Sequence, residues 1–280
     1  MGRMENVEIF EDTQYLCRTI SVLREAITYS QKHQVLIREK DMITDHSGEE
    51  QYDKAAKIII SKKRSFEAAK EYPGKKVCIL NFASATNPGG GVVRGASAQE
   101  ECLCRCSTLY PNLDCRDMWN GFYTPHRRSG DPLHNDDCIY TPNVLVIKTD
   151  TNLPCRMPES EWYSVNVLTC AAPNLREKPG NRMNPADGSR KIHISNQDLQ
   201  KLHEQRARRI FNIAAEYKNE VLILGAFGCG AFQNPPSVVA NAMKTVTQQF
   251  RRCFDTIEFA VYCPPHREEN YQSFRAVLTR

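Results

Sequence analysis

Short apolar runs alternate along the chain with longer segments whose apolar residues recur at helical spacing. The runs have strand length and are typical of strands buried on both faces: Ile58–Ile60, Val77–Phe82, Val144–Lys148, Val165–Ala171, Val221–Ala226 and Ile257–Tyr262. The helical segments lie at about 13–32, 66–72, 96–109, 198–217, 234–250 and from 267 onward. Strands that alternate with helices predict a three-layer α/β fold with a mixed, mostly parallel central sheet flanked by helices.

Capping and breaking residues predict where some of these elements end. Ser65 is predicted to cap the helix over 66–72. Asn234 is predicted to cap a later helix that has Pro235 at its first position. Two segments rich in Pro, Asn, Gly and Arg, 111–142 and 173–196, are predicted to be long loops. Long ordered loops in a compact domain are usually functional or mobile.

Composition and charge narrow the class of protein. The 280 residues are 41% apolar and 25% charged, as in ordinary globular proteins, and no apolar run approaches the about 20 residues that cross a bilayer. The N-terminus lacks the pattern of a secretory signal, so a cytoplasmic location without membrane association is expected. Net charge is +4, and the basic residues form four short clusters: Lys62–Arg64, Arg127–Arg128, Arg206–Arg209 and Arg251–Arg252. We expect these clusters to be solvated surface and expect no specific nucleic-acid binding. A local positive site for a phosphorylated small ligand is the alternative.

The twelve cysteines are expected to be reduced thiols. Cys102 and Cys106 stand one helical turn apart, with Cys104 between them, so two thiolates could share a helix face. Structural zinc sites usually show paired CxxC spacing, which is missing here. Packed free thiols are therefore favoured, and no metal or cofactor is expected.

The first chemistry-bearing segment joins a predicted strand to a predicted helix. Gly89, Gly90 and Gly91 are followed, after seven residues, by Gln99-Glu100-Glu101. Consecutive glycines permit positive φ and close approach of a ligand, and N–H groups there can form an anion nest. A carboxyl group beside such a nest can protonate a glycosidic oxygen and then activate water. The alternative is a glycine-rich turn and a helix whose first turn merely favours acidic residues.

A second glycine-rich segment follows the predicted strand at 221–226. It comprises Gly225, Ala226, Phe227, Gly228, Cys229, Gly230, Ala231 and Phe232. Glycines at the carboxyl end of a strand suit a diphosphate cradle. The two phenylalanines could contact a sugar or base, or could be core residues. Together the two loops predict a nucleotide-diphosphate site at the carboxyl edge of the sheet.

At these residues the sequence resembles a known family. Three glycines, seven residues and then QEE resemble the signature of poly(ADP-ribose) glycohydrolases. Two segments, LNFASATNPGGG and GAFGCGAFQNPP, resemble the corresponding segments of the bacterial-type members, whose fold is a macrodomain. The resemblance covers roughly residue 55 to the C-terminus. It implies a helical extension over 1–54 and a macrodomain-like catalytic domain over 55–280.

The resemblance also implies roles for individual residues. Glu101 would be the general acid/base, Glu100 would bind the ribose hydroxyls, and Gln99 would orient the pair. The residues from Gly89 to Gly91, with Asn87 nearby, would contact the distal ribose and phosphate. The segment from Gly228 to Phe232 would wrap the diphosphate, and Phe232 would press on the distal ribose. Gly225, Ala226 and Phe227 are further candidates for substrate binding. A helix N-terminus lowers a carboxyl pKa and a neighbouring anion raises it, so we expect bound substrate to keep Glu101 protonated.

The implied activity is hydrolysis of the ribose–ribose O-glycosidic bonds of poly(ADP-ribose), from chain ends, releasing ADP-ribose. The implied partners are ADP-ribose, its polymer and ADP-ribosylated proteins. One alternative is removal of single ADP-ribose groups from protein or nucleic acid, because only the leaving group changes. Another is a non-catalytic ADP-ribose-binding module or adaptor, against which the intact Gln99-Glu100-Glu101 argues.

Overall fold

The computed structural model describes residues 2–181, 186–264 and 266–279. Within these ranges the strands are β1 Val35–Ile37, β2 Lys57–Ser61, β3 Val77–Ala83, β4 Cys138–Val146, β5 Tyr163–Ala171, β6 Val221–Leu224 and β7 Thr256–Ala260. The helices are α1 Arg3–Thr19, α2 Ser21–His33, α3 Ser65–Ala69, α4 Gln99–Cys106, α5 Leu109–Leu113, α6 Arg116–Met118, α7 Thr124–Ser129, α8 Asn196–Glu216, α9 Pro236–Gln249 and α10 Glu269–Leu278.

The strands in the described part of the chain form one seven-stranded sheet in the order β1-β4-β5-β3-β6-β7-β2. β3 runs parallel to β5 and β6, and β7 runs parallel to β6 and β2. β4 is antiparallel to both β1 and β5. The predicted mixed, mostly parallel sheet is therefore confirmed.

Helices cover both faces of this sheet, and the strand side chains alternate between the two layers. In β6, Leu222 and Leu224 pack into the cluster that includes residues of α8, α9 and α10. Val221 and Ile223 point into the opposite cluster, with residues of α3, α4 and α5. All four are buried, which explains why a central strand is apolar at every position.

The helix predicted over 13–32 is two helices, α1 and α2, which meet at Ile20. Ile20 has an extended backbone, with φ −88° and ψ 124°, so the chain changes direction there. The helical spacing nevertheless continues through the break because Leu16 and Leu23 pack into the same small cluster with Ile147, and Ile20 packs against it. Sequence periodicity alone could not separate the two helices.

The predicted N-terminal extension is attached to the sheet through β1. Val35 and Ile37 of β1 are in register with Tyr140 and Cys138 of β4. β1 thus belongs to the same sheet as the strands that follow residue 54. The domain boundary at residue 54 stays a prediction.

The two predicted long loops differ in outcome. The segment 111–142 contains most of α5, all of α6 and α7, a π-helical turn at Trp119–Tyr123 and the start of β4, so that prediction was wrong. Buried Leu113 and Phe122 anchor this segment in the core, which its many polar residues conceal. Between β5 and α8 the described part of 173–196 contains no helix or strand, and residues 182–185 lie outside the described ranges.

Two predicted caps were also wrong. Arg64 is the N-cap of α3, and Ser65 is its first residue. Pro235 is the N-cap of α9, which begins at Pro236. The side chain of Asn234 is used elsewhere, as described below. The helix predicted over 96–109 forms only as α4, because Ala98 is extended and Ser107 ends the helix.

Two of the basic clusters contribute buried arginines rather than surface ones alone. Arg206 is 1% exposed and pairs with the buried Asp136 at 2.7 Å. Arg64 is half-buried at the carboxyl edge of the sheet. Arg209 is also buried and donates to the carbonyls of Arg38 and Asp41. The expectation of solvated surface was wrong for these three residues, because partners distant in sequence bury them.

Candidate active site

The carboxyl ends of the parallel strands meet at one edge of the sheet, and a cavity of about 600 Å³ lies there. Its wall includes residues that follow each parallel strand: Arg64 after β2, Ser84 after β3, Ala172 after β5, Ala226 after β6 and Val261 after β7. This is the position at which open α/β sheets bind ligands. It agrees with the edge predicted from the two glycine-rich loops.

Glu100 and Glu101 lie in the first turn of α4 and both line the cavity. They are 3% and 7% exposed. The backbone N–H of Ser84 donates to Oε2 of Glu100 at 2.7 Å, and Nδ2 of Asn81 donates to Oε1 at 3.3 Å. The N–H of Gly91 donates to Oε1 of Glu101 at 2.9 Å. Among the described residues, Oε2 of Glu101 has no hydrogen-bond partner although it is buried.

Burial raises the pKa of both carboxyl groups. The pKa of Glu100 lies well above its ordinary value, because desolvation outweighs the hydrogen bonds from Ser84 and Asn81. Burial also raises the pKa of Glu101, against the opposing effects of the Gly91 N–H and the Arg105 guanidinium. Burial therefore favours the protonated acid before substrate binds, a cause that the weighing of helix dipole and neighbouring anion left out. The contribution of bound substrate stays a prediction.

The glycine turn approaches the two carboxylates so closely that a side chain would not fit. Gly90 has φ +58°, and a Cβ atom there would lie 2.6 Å from Oε1 of Glu101 and 3.1 Å from Oε2 of Glu100. Gly89, at φ +63°, instead faces Tyr110 and Cys104 on the core side. Gly89 and Gly90 are thus needed for local geometry, and Gly90 alone of the three glycines lines the cavity.

Gln99 holds α4 against the end of β3. Its Oε1 accepts a hydrogen bond from the N–H of Phe82 at 2.9 Å. Its Nε2 donates to the carbonyl of Leu80 at 2.9 Å and to Oγ of Ser65 at 3.0 Å. The side chain therefore fixes the start of the helix that carries both glutamates. The orienting role given to Gln99 stays a prediction that this contact supports.

The second glycine-rich loop forms the opposite wall. Ala226, Gly228, Gly230, Ala231 and Phe232 line the cavity. At Gly228, φ is +77° and a Cβ would lie 2.6 Å from Cβ of Ala172. Only glycine permits this close approach of the loop to the end of β5.

A buried asparagine ties this loop to its surroundings. Nδ2 of Asn234 donates to the carbonyls of Pro173, Gly228 and Phe232 at 2.7, 3.0 and 3.4 Å. Its Oδ1 lies 2.9 Å from Nε2 of His203. Burial lowers the pKa of His203 to about 4, so the neutral ring donates this bond. The sequence analysis assigned Asn234 to a helix cap and missed this role.

Several predicted binding residues lie outside the cavity wall. Phe227 is fully buried and contacts Phe82, at 5.7 Å between ring centroids, so it belongs to the core. A Cβ on Gly225 would lie 2.6 Å from the carbonyl of Ala260, which makes this glycine a sheet-packing residue. Cys229 is half-buried and does not line the cavity. Asn87 binds Arg127 on the outer side of the glycine turn.

Phe232 lies between two basic side chains. The ring of His134 is 5.9 Å away, and the guanidinium of Arg176 lies 5.4 Å from the Phe232 centroid. Burial lowers the pKa of His134 to about 3, so this imidazole is neutral at physiological pH. Phe232 is consequently held at the cavity wall by contacts on more than one side.

Sequence reasoning missed a polar group at the far end of the cavity. The guanidinium of Arg64 lies 3.9 Å from the centroid of the Tyr262 ring and 3.9 Å from Oδ1 of the buried Asp150. All three residues line the cavity. Arg64 and Tyr262 follow the ends of β2 and β7 closely, which is the signal that could have identified them.

The N-terminal helix α1 also contributes to the wall, through Arg3 and Asn6. Nδ2 of Asn6 donates to the carbonyl of Gly95 at 2.9 Å. Gly95 has φ +73°, and a Cβ there would overlap the carbonyl of Arg3. The helix therefore supports the loop that leads into α4, a contact between segments that the sequence analysis left apart.

The cysteines of α4 are packed thiols. Cys102, Cys104 and Cys106 are buried, and burial raises the pKa of each. The guanidinium of Arg105 donates to Sγ of Cys102 at 3.2 Å. In the described ranges, no group of three or more His, Cys, Asp or Glu is placed to hold a metal ion. None of the helices there has the length and apolarity that a bilayer crossing requires.

The arrangement is suited to hydrolysis of a glycosidic bond. A buried carboxyl group with one oxygen fixed and the other unpartnered can donate a proton to a leaving oxygen and later accept one from water. The glycine-rich loops and the nearby Arg64 and Arg176 can hold an anionic diphosphate. A cleft with these features accommodates a sugar that is joined to a diphosphate.

Comparisons with known proteins agree with this chemistry. The description "Microbial-type PARG, catalytic domain" belongs to the family model that matches residues 4–149. No curated protein matches the chain in sequence.

Solved structures give the same result over almost the whole chain. The chain is similar to the poly(ADP-ribose) glycohydrolase (PARG) of Thermomonospora curvata, with 28% identity, a TM-score of 0.83 and coverage of 98% of this chain and 99% of that chain. The structure of that protein bound to the inhibitor ADP-HPD matches with 28% identity and a TM-score of 0.80, over 97% of this chain and 98% of that chain. PARG from Deinococcus radiodurans in complex with ADP-ribose matches with 26% identity and a TM-score of 0.73, over 90% of this chain and 96% of that chain.

The family model spans just over half of the 280 residues, and the structural likeness extends over both the helical N-terminus and the sheet. The resemblance noted in the sequence is confirmed: the chain belongs to the microbial-type PARG family and contains its catalytic domain.

Proposed function

We propose that this chain hydrolyses the ribose–ribose O-glycosidic bonds of poly(ADP-ribose), with Glu101 as general acid and base. Its family consists of glycosyl hydrolases of this polymer. One observation supports the assignment of Glu101 as the acid. The Gly91 N–H fixes Oε1 of its carboxyl group, while the buried Oε2 has no hydrogen-bond partner among the described residues. A module that only binds ADP-ribose has no need for such a buried, unpartnered acid.

In the proposed reaction, protonated Glu101 donates its proton to the adenosine 2′-oxygen of the leaving unit as the bond from that oxygen to the distal ribose breaks. The ribose develops oxocarbenium character, which the adjacent diphosphate stabilises electrostatically. The Glu101 carboxylate then accepts a proton from water as the water oxygen bonds to the anomeric carbon. The products are ADP-ribose and a shortened polymer.

Supporting residues hold the substrate in this scheme. Glu100, fixed by Ser84 and Asn81, would bind the distal ribose hydroxyls. The loop from Ala226 to Phe232 would surround the diphosphate, with Phe232 against the distal ribose. These assignments rest on the cavity wall, to which both segments contribute.

Action from chain ends is also part of the proposal, because α1 contributes Arg3 and Asn6 to one wall and restricts the groove on that side. ADP-ribosylated proteins would be the polymer's carriers. A cytoplasmic location completes the proposal, and the twelve free cysteines, all in the described ranges, support a reducing compartment.

The test is product analysis with three substrates: poly(ADP-ribose) on an automodified polymerase, protein carrying single ADP-ribose groups, and free ADP-ribose as a binding control. We expect the wild-type chain to release ADP-ribose from the polymer, with no long oligomers at early times. Release from mono-modified protein alone would favour the mono-ADP-ribosyl hydrolase. Binding without release from either would identify a non-catalytic module.

A further inference from the structure

A second, smaller cavity of about 250 Å³ lies on the outer side of the glycine turn. Its wall includes Asn87, Gly90, Arg94, Trp119 and Arg127. Gly90 lines both this cavity and the larger one that contains the glutamates. The two cavities are therefore neighbours, separated at Gly90 by a residue without a side chain.

The smaller cavity contains a flat cationic and aromatic surface. The guanidinium of Arg127 lies 4.6 Å from the centroid of the Trp119 ring. Nε of Arg127 donates to the carbonyl of Thr86 at 2.6 Å, and its NH2 group donates to Oδ1 of Asn87. The indole N–H of Trp119 donates to Oδ1 of Asp114 at 2.7 Å. Both planar groups are thus held in place before any ligand arrives.

This surface matches the chemistry of a nucleotide. Purine bases stack on indole and guanidinium faces, and the cations of Arg127 and the exposed Arg94 attract phosphate. Asp114 also lines the cavity. Its carboxylate accepts a hydrogen bond from the indole N–H of Trp119 and can accept further hydrogen bonds. It therefore favours a base with an amino group over a second anion.

The proposed reaction supplies such a nucleotide at this place. The leaving oxygen is the 2′-oxygen of an adenosine, so a purine and a diphosphate lie within one nucleotide of Glu101. We infer that the cavity formed by Asn87, Gly90, Arg94, Trp119 and Arg127 binds the adenosine diphosphate part of the leaving unit. This inference rests on the proposed function and adds a second nucleotide subsite to it. The polymer would cross Gly90, where only backbone lies in its path.

The test compares two substrates that share the bound ADP-ribose unit and differ in the leaving group. One is poly(ADP-ribose), and the other is ADP-ribose with a 4-nitrophenoxy group on the anomeric carbon of its distal ribose, so that the leaving group is 4-nitrophenolate. Arg127→Met and Trp119→Leu each remove one face of the stacked pair. Arg128→Met is the matched control, since Arg128 is an exposed neighbour on α7 outside the cavity wall.

We expect both cavity variants to lower kcat/KM on the polymer by about tenfold or more while nitrophenyl hydrolysis stays within about threefold of wild type. The control should change neither rate. Equal losses on both substrates would show that Arg127 merely supports the glycine turn through Thr86 and Asn87, and would overturn the inference. Unchanged polymer hydrolysis in both variants would overturn it as well.

Failure of the proposed function has a different signature. If wild type hydrolyses neither substrate, the proposed function and this inference are both overturned. If wild type hydrolyses both and the cavity variants match Arg128→Met, only the inference is overturned. Trp119→Leu is a second, independent variant. Among the described residues, the hydrogen-bond and ring partners of the Trp119 side chain are Asp114, Tyr123 and Arg127, whereas Arg127 also donates to Thr86 and Asn87.

Discussion

The backbone N–H of Gly91 donates a 2.9 Å hydrogen bond to Oε1 of Glu101 and leaves Oε2 of the same carboxyl group without a partner. One oxygen is therefore fixed by the glycine turn, and the other is available to substrate. The turn and α4 are joined by a seven-residue segment. Their relative position determines whether the acid can reach a scissile bond.

Gly90→Ala should abolish most activity without unfolding the protein. The new Cβ would lie 2.6 Å from Oε1 of Glu101, so the carboxyl group must move. A misplacement of about 1 Å costs about a hundredfold in rate, and we expect at least this loss in kcat. Gly74→Ala is the matched control, because Gly74 also has positive φ, +77°, but nothing lies within 4 Å of its Cβ position. A control with the same loss would contradict the account.

The pH dependence of kcat/KM should show an alkaline limb that belongs to Glu101. Burial raises the pKa of this carboxyl group, so the protonated acid persists to higher pH than an exposed glutamate. Activity on the polymer should fall as pH rises through that raised pKa. The 4-nitrophenyl substrate should show a weaker limb, because nitrophenolate leaves without a proton. Identical limbs for the two substrates would argue against a general acid.

Glu101→Gln should stabilise the fold at alkaline pH. A raised carboxyl pKa means that the folded chain keeps a proton that the unfolded chain loses above about pH 4.3, so stability falls as pH rises from there through the folded-state pKa. Glutamine removes this penalty. We expect a Tm above wild type at pH 8, by about 2–4 °C for each kcal/mol, and a smaller difference at pH 4. Thermal unfolding with no gain at pH 8 would count against burial as the cause.

Asn234→Ala should loosen the second loop. The substitution leaves the carbonyl of Pro173 and the ring of His203 without their partner, whereas the carbonyl of Gly228 keeps the backbone N–H of residue 234. Unsatisfied buried groups cost about 1–3 kcal/mol each, so unfolding free energy should fall by about 2–4 kcal/mol, with KM rising more than kcat falls. Asn241→Ala is the control, since exposed Asn241 bonds only within α9, to Ser237. Wild-type stability in Asn234→Ala would refute the role.

Much of this architecture follows from local sequence signals. Buried strands such as β3 and β6 are continuous apolar runs, and those runs were sufficient to predict the layers. The glycine turn and the carboxylates that follow it were singled out because few residue types permit a close turn beside a helix that begins with carboxylates. The choice of Glu101 as the acid came from the family resemblance and stays a prediction. Burial of a strand and close approach of a turn each restrict residues that are neighbours in the chain, so both can be predicted from a short stretch of sequence.

The residues that were missed owe their positions to distant partners. Arg64 appears in a basic cluster, yet Tyr262 and Asp150 hold it at the cavity. Asn234 has the sequence context of a helix cap, but Pro173 and His203 engage its side chain instead. Periodicity and spacing contain no information about such contacts, because the groups that meet are separated by many residues.

The central claim is tested most directly by the rate of ADP-ribose release from poly(ADP-ribose) by wild type and Glu101→Gln, with the Kd for ADP-ribose measured for both by calorimetry. The account predicts release by wild type, a loss of about 10²–10⁴-fold in the variant and dissociation constants that agree within about threefold. A variant that keeps more than about a tenth of the wild-type rate while it binds ADP-ribose normally would contradict the assignment of Glu101 as the acid and base.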